Sequence, residues 1–64
     1  MADYTRKVKK ILYDNGCSFV RQGKGDHEIW HSPVVSRNIT VDESITKRSS
    51  AIKTLKKAGI SAII

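Results

Sequence analysis

A chain of 64 residues with twelve Lys and Arg against six Asp and Glu, net charge +6, makes one domain: a small sheet and one or two helices, with no deep cleft between lobes. At this length only about 60% of the unfolded surface is buried, so stability is marginal. The basic excess points to a polyanionic partner, whether nucleic acid, an anionic membrane surface or an acidic protein, although a well-solvated basic surface would also account for it.

Residues 3–15 read as a helix, with Asp3 as N-cap and Gly16 as the residue past its end. Tyr4, Val8, Ile11 and Leu12 share one arc at 3.6-residue spacing, and Arg6, Lys7, Lys9, Lys10 and Tyr13 share the other. One face packs and the other is basic, and Lys7 and Lys10 on it are candidate RNA contacts. The same cations interrupt the first apolar residues, which excludes a signal peptide. No apolar run approaches the roughly 18–20 residues that span a membrane. The one cysteine, Cys17, excludes an intramolecular disulfide and suits a reducing compartment, hence the cytoplasm. A small buried apolar side chain is its simplest role.

Three strands follow: 18–22 (SFVRQ), 27–31 (HEIWH) and 37–41 (RNITV). The turn GKGD separates the first two, and Ser32-Pro33 ends the second, because proline cannot donate to a sheet ladder. Such short connections imply an antiparallel meander. A second helix is expected over about 46–58, capped by Ser44 or Thr46 and stopped by Gly59, with Ala51, Ile52, Leu55 and Ala58 on one arc. Asp42 and Glu43 before it and Lys53, Lys56 and Lys57 in its last turns complement the helix dipole, which is enough to explain those lysines. The fold class is therefore α+β: a single α-β-β-β-α domain over 1–64, with both helices on one face of a three-stranded sheet. The apolar 61–64 segment is packed, paired at an edge or frayed.

Residues 27–31 also match the letters of the zinc-protease signature H-E-x-x-H. That motif needs a helix to bring its histidines one turn apart. Glycines lie upstream, Ser32-Pro33 lies downstream, and Ile29 and Trp30 favour strand. On a strand, His27 and His31 share a face but sit roughly 13 Å apart, too far for zinc–nitrogen bonds of about 2.0–2.1 Å. No metal site and no cofactor are expected.

His27 taken alone is more informative. It opens a strand after a flexible Gly-Lys-Gly-Asp turn, with Lys24 supplying a cation and Asp26 adjacent. Histidine is the side chain suited to taking and giving a proton near neutrality. A basic surface with such a histidine suits cleavage of RNA by its own 2′-hydroxyl, which needs proton transfer and charge stabilisation but no obligatory metal. Lys24, Arg21 and Arg37, on or beside the central strand, are the candidate phosphate contacts. A solvated surface histidine is the plainer alternative. His31 reads as structural or as a minor RNA contact. Trp30, on the face opposite His27 and Ile29, reads as a cap on an exposed sheet face, a base-stacking platform or a partner anchor.

An ordered set of short motifs runs over nearly the whole chain. The first helix ends in Asn15-Gly16. Phe19-Val20-Arg21-Gln22-Gly23-Lys24-Gly25-Asp26-His27 is similar to a core F-x-R-x-x-G-S-H, Ile29-Trp30 follows on a strand, and Leu55-Lys56-Lys57-Ala58-Gly59-Ile60 is close to an L-x-x-A-G-I ending. In these the chain resembles the HicA-type (YcfA-like) toxins of bacterial toxin–antitoxin systems. The resemblance implies a fold like the double-stranded-RNA-binding domain and an mRNA-cleaving ribonuclease with His27 as its catalytic residue. It also implies a HicB-type antitoxin that masks the site. The free chain is expected to be monomeric. The chain departs from the pattern twice. The serine of G-S-H is Asp26, and where the family often has V-P-x-H this chain has Val41-Asp42-Glu43-Ser44, without the histidine. Two other readings stand beside this one: a non-catalytic RNA-binding module of the same fold, and an interaction protein whose basic face meets an acidic partner.

Overall fold

The computed structural model describes residues 3–62. The elements follow in the expected order: α1 Thr5–Asp14, β1 Ser18–Gln22, β2 His27–Ser32, β3 Arg37–Asp42 and α2 Arg48–Lys57. The sheet is an antiparallel meander with β2 in the centre. β2 and β3 each run one residue past their expected ends, to Ser32 and Asp42. No helix among the described residues is long and apolar enough to cross a membrane.

Strand alternation sorts the sheet into two faces. Trp30, Ile39 and Val41 point to one and join Val8 and Leu12 of α1 and Ala51, Leu55 and Ala58 of α2 in a single core. His27, Ile29 and His31 point to the other, which no helix covers. The face opposite His27 is therefore not exposed, and Trp30 on it is neither a cap nor a base-stacking platform but a core residue only 8% exposed. Cys17 is buried and free, as its simplest reading had it. β1 does not alternate in burial: all five of its residues are exposed, because the core is built on β2 and β3 and β1 lies beyond it. Phe19 rests edge-on against Trp30, ring centroids 6.2 Å apart. A bulge between Phe19 and Arg21 shifts the register there and breaks the regular edge that would otherwise invite pairing.

Both helices end in the same way. Past α1, the Gly16 N–H donates to the Tyr13 carbonyl (3.0 Å) and the Cys17 N–H to the Leu12 carbonyl (2.9 Å). Past α2, Gly59 donates to Lys56 and Ile60 to Leu55, each at 2.9 Å. These are the paired bonds of a Schellman motif, and the flanking apolar pairs Leu12/Cys17 and Leu55/Ile60 are all buried. Gly59 sits at φ +77°, and a Cβ built there would lie 2.8 Å from both Val34 Cγ1 and Val35 Cγ1. Gly59→Ala should therefore cost about 1–2 kcal/mol in backbone strain and more in displaced valines. Gly25→Ala is the control, because its φ of +65° carries the strain while nothing lies within 4 Å of the new methyl. Urea unfolding of the two variants separates the terms, and equal losses would refute the packing contribution.

The helix starts differ from the sequence reading. α1 begins at Thr5, whose N–H donates to Asp3 Oδ1 (3.0 Å), so Asp3 caps from one residue further out. α2 begins at Arg48 after Lys47, with no side-chain cap at all. Ser44 and Thr46 cannot serve because Ile45 between them is 1% exposed and is tied to the start of α1. Its N–H donates to Thr5 Oγ1 (2.7 Å), and its carbonyl accepts from the Tyr4 N–H (2.8 Å). The segment between β3 and α2 is thus tied to the start of α1, and Lys47, at φ −115° and ψ 137°, immediately precedes the first turn of α2. Asp42 and Glu43 are spent elsewhere and contribute nothing to the first turn of α2.

A polar chain crosses the helix–sheet boundary. The Trp30 indole N–H donates to Glu28 Oε1 (3.0 Å), and Lys9 Nζ lies 3.2 Å from Glu28 Oε2. Lys9, expected on the basic arc, instead turns in to this carboxylate. The indole bond, reinforced by Lys9, holds the Glu28 carboxyl below its ordinary range against the opposing effect of burial. A carboxylate whose pKa is lower folded than unfolded stabilises the fold above its unfolded value, near 4.3, and loses that contribution as pH falls through the folded value. The urea midpoint should therefore drop on acidification below about pH 4. Asp3, held low by the Thr5 N–H, adds to the slope. Glu28→Gln should make the slope shallower, and an unchanged slope would remove Glu28 from the account.

Candidate active site

The open face is assembled by register. β2 and β3 pair His27 with Asp42, Ile29 with Thr40 and His31 with Asn38, while β1 brings Arg21 opposite Ile29. His27 is held at both ring nitrogens. Nε2 lies 3.0 Å from Asp42 Oδ1, and Nδ1 lies 3.0 Å from the carbonyl oxygen of Lys24. Both partners are acceptors, so the two bonds are complete together only when the ring is the imidazolium. The side chains of His27 and Asp42 are 49% and 51% exposed, which leaves the ring open to a ligand. The backbone around it is braced as well: the Gly23 N–H donates to the His27 carbonyl (2.8 Å) and the Glu43 N–H to the Asp26 carbonyl (2.9 Å).

The cleft beside His27, about 610 Å³, is lined by Asp26, His27, Asp42, Glu43 and Ser44. Three carboxylates thus gather around the histidine in a chain that is basic as a whole. Glu43 is engaged by the Gln22 amide, which donates to its Oε2 at 3.0 Å. Two exposed cations lie on the elements that frame this face, Arg21 opposite Ile29 on β1 and Lys24 in the β1–β2 turn.

No family model matches the chain, and neither does any curated protein or solved structure.

The other residues singled out by charge lie elsewhere. Arg37 pairs across the sheet with buried Ser32, so it belongs to the helix side. It lines a separate cleft of about 320 Å³ with Asn38, Ile39, Thr40 and Lys57. Lys7 and Lys10 sit on the exposed side of α1, and Lys10 pairs with Asp14 at 3.2 Å. The fold therefore places Arg21 on the same sheet face as His27 and the Lys24 backbone against its ring, and places Arg37, Lys7 and Lys10 elsewhere. His31 is on the His27 face, with Nδ1 3.0 Å from Asn38 Oδ1. Among the described residues, no group of three or more His, Cys, Asp or Glu is arranged to hold a metal ion.

Asp42 is the site residue that sequence reasoning misses. Its position before α2 suggests a helix-dipole role, but it faces His27. The signal is in the loop length: a four-residue turn between Ser32 and Arg37 fixes a register that pairs 27 with 42.

Proposed function

We propose that the chain is a HicA-type toxin, an endoribonuclease that cleaves mRNA in the bacterial cytoplasm through His27 and is neutralised by a HicB-type antitoxin. The observation that carries this reading is an accessible imidazole, anchored at both nitrogens, on an uncovered sheet face that also carries Arg21, with Lys24 in the adjoining turn. The ordered motifs in the sequence support it. The 2′-hydroxyl of RNA is the nucleophile, so the protein needs only to move protons and stabilise the phosphoryl charge. Cleavage by this route leaves a 2′,3′-cyclic phosphate and a 5′-hydroxyl.

One observation favours a second reading, a non-catalytic RNA-binding module. The carboxylates of Asp26, Asp42 and Glu43 around His27 repel an incoming phosphate. The deciding experiment incubates purified protein with a long RNA in EDTA, resolves the products on a denaturing gel and identifies their ends. Cleavage with cyclic phosphate ends supports the toxin. Salt-sensitive binding without cleavage supports the RNA-binding module, because cationic contacts supply that affinity. No binding at low salt returns the chain to the class of protein-interaction domains.

A further inference from the structure

We infer that Asp42 is a positioning residue for His27: it keeps the proton on Nε2 and makes Nδ1 the nitrogen that delivers a proton to the substrate. That the substrate is an RNA phosphodiester rests on the ribonuclease reading. The state of the ring does not, and can be tested separately.

The pairing is built into the sheet, since His27 and Asp42 are direct partners across β2 and β3. When the imidazolium gives up one proton, the stronger of its two bonds decides which nitrogen keeps the other. The bond to Asp42 is to a carboxylate, and such charge-assisted bonds are roughly twice as strong as neutral ones. The bond to Lys24 is to a neutral carbonyl. Anchorage points the same way. Asp42 is the last residue of a paired strand, whereas Lys24 lies in a turn between two glycines, where, among the described residues, backbone bonds hold Gly23 and Asp26 on either side but not the Lys24 peptide itself. The Lys24 carbonyl is the partner that lets go. The other charged groups around the ring are Asp26 of the turn, Glu43 beyond β3, Lys24's own ammonium and Arg21 of β1. Among the described residues, none of their side chains is bonded to either ring nitrogen.

The 2′-oxygen bonds to phosphorus and its proton goes to solvent base. The phosphorus–O5′ bond breaks, its electron pair goes to O5′, and the Nδ1 proton goes with it. His27 is left neutral with Nε2–H still donated to Asp42, which is the tautomer that Asp42 favours. This is the division of labour of a carboxylate–histidine pair in acyl transfer, here supplying an acid.

The first measurement is the ring 15N shifts of His27 at a pH where the imidazole is neutral, with His31 assigned by substitution. The wild type should carry its proton on Nε2. Asp42→Ala should move it to Nδ1, where the Lys24 carbonyl takes over. Asp42→Asn, which keeps an acceptor oxygen and serves as the folded control, should retain Nε2–H. A wild-type proton on Nδ1, or no change in the alanine variant, overturns the assignment. The second measurement compares RNA with oxygen or sulfur at the scissile 5′ position, because a thiolate leaves without a proton. Asp42→Ala should slow the oxygen substrate by up to about 10²-fold, part of what a positioned acid contributes, and the sulfur substrate far less. Equal slowing of both overturns proton delivery. If the wild type cleaves neither substrate, the ribonuclease reading fails, and the 15N shifts still decide the role of Asp42.

Discussion

Trp30→Ala is expected to cost about 3–5 kcal/mol, the usual range for emptying a buried aromatic site. A domain of this length has roughly 3–10 kcal/mol to lose, so the variant should be largely unfolded or close to it at 37 °C. Two contributions combine. The indole fills the core between β2, β3 and both helices. Its N–H also satisfies Glu28, which in turn holds Lys9, so truncation leaves a carboxylate that is only 14% exposed with one partner fewer. Trp30→Phe separates the two: it keeps most of the ring and loses the N–H, at a cost of about 1–3 kcal/mol. Far-UV circular dichroism in urea is the readout, because the substitution removes the chain's one tryptophan. An alanine variant as stable as wild type would refute the core assignment.

His27→Ala is expected to slow RNA cleavage about 10²–10⁴-fold, the contribution of a positioned acid or base, while the protein stays folded. Half-exposed ion pairs such as His27–Asp42 contribute little to stability, so a loss of activity cannot be passed off as unfolding. RNA affinity should fall only modestly. Substitution of Arg21 or Lys24 should do the reverse, weakening binding across sequences and reducing the salt slope by about one for each phosphate no longer neutralised. Lys7→Ala and Lys10→Ala, on the far side of the molecule, should leave single-turnover cleavage nearly unchanged. Single-turnover rates in EDTA and anisotropy titrations in salt separate these effects. A His27→Ala protein that cleaves at the wild-type rate would end the catalytic reading.

What can be read in the sequence is what local chemistry determines. Gly16 and Gly59 end helices because nearby carbonyls need donors and only a left-handed residue turns the chain back to supply them. The strands stand out by alternation between Gly, Asp and Pro breaks. The misplaced features depend on distant interactions. Ser44 and Thr46 are sound cap residues, but Ile45 is drawn into the core by Thr5, forty positions away in sequence. Lys9 has the spacing of a surface lysine, yet Glu28 lies where it can reach inward. Alternation puts Trp30 opposite His27 correctly, but does not by itself put it under the helices. Its cross-strand partner Ile39, and Val41 two residues on, indicate that side. Among the basic residues, charge alone cannot say which face each one occupies, so it groups Arg37, Lys7 and Lys10 with residues the fold keeps apart. Asp42 is hidden because its importance lies in register, which no short window contains.

The two helix exits meet the same stretch of chain. A methyl on Gly16 would stand 3.2 Å from Pro33, one on Gly59 would press on Val34 and Val35, and Ser32 beside them donates to the Ala58 carbonyl at 2.7 Å. The β2–β3 turn is therefore wedged between both helix ends and cannot change length without moving them. The β1–β2 turn touches none of this. Insertions and grafted sequences should be accepted between Gly23 and Asp26 and rejected between Pro33 and Ser36. The hairpin that can diverge is the one that carries His27, so the site can be rebuilt while the scaffold stays fixed.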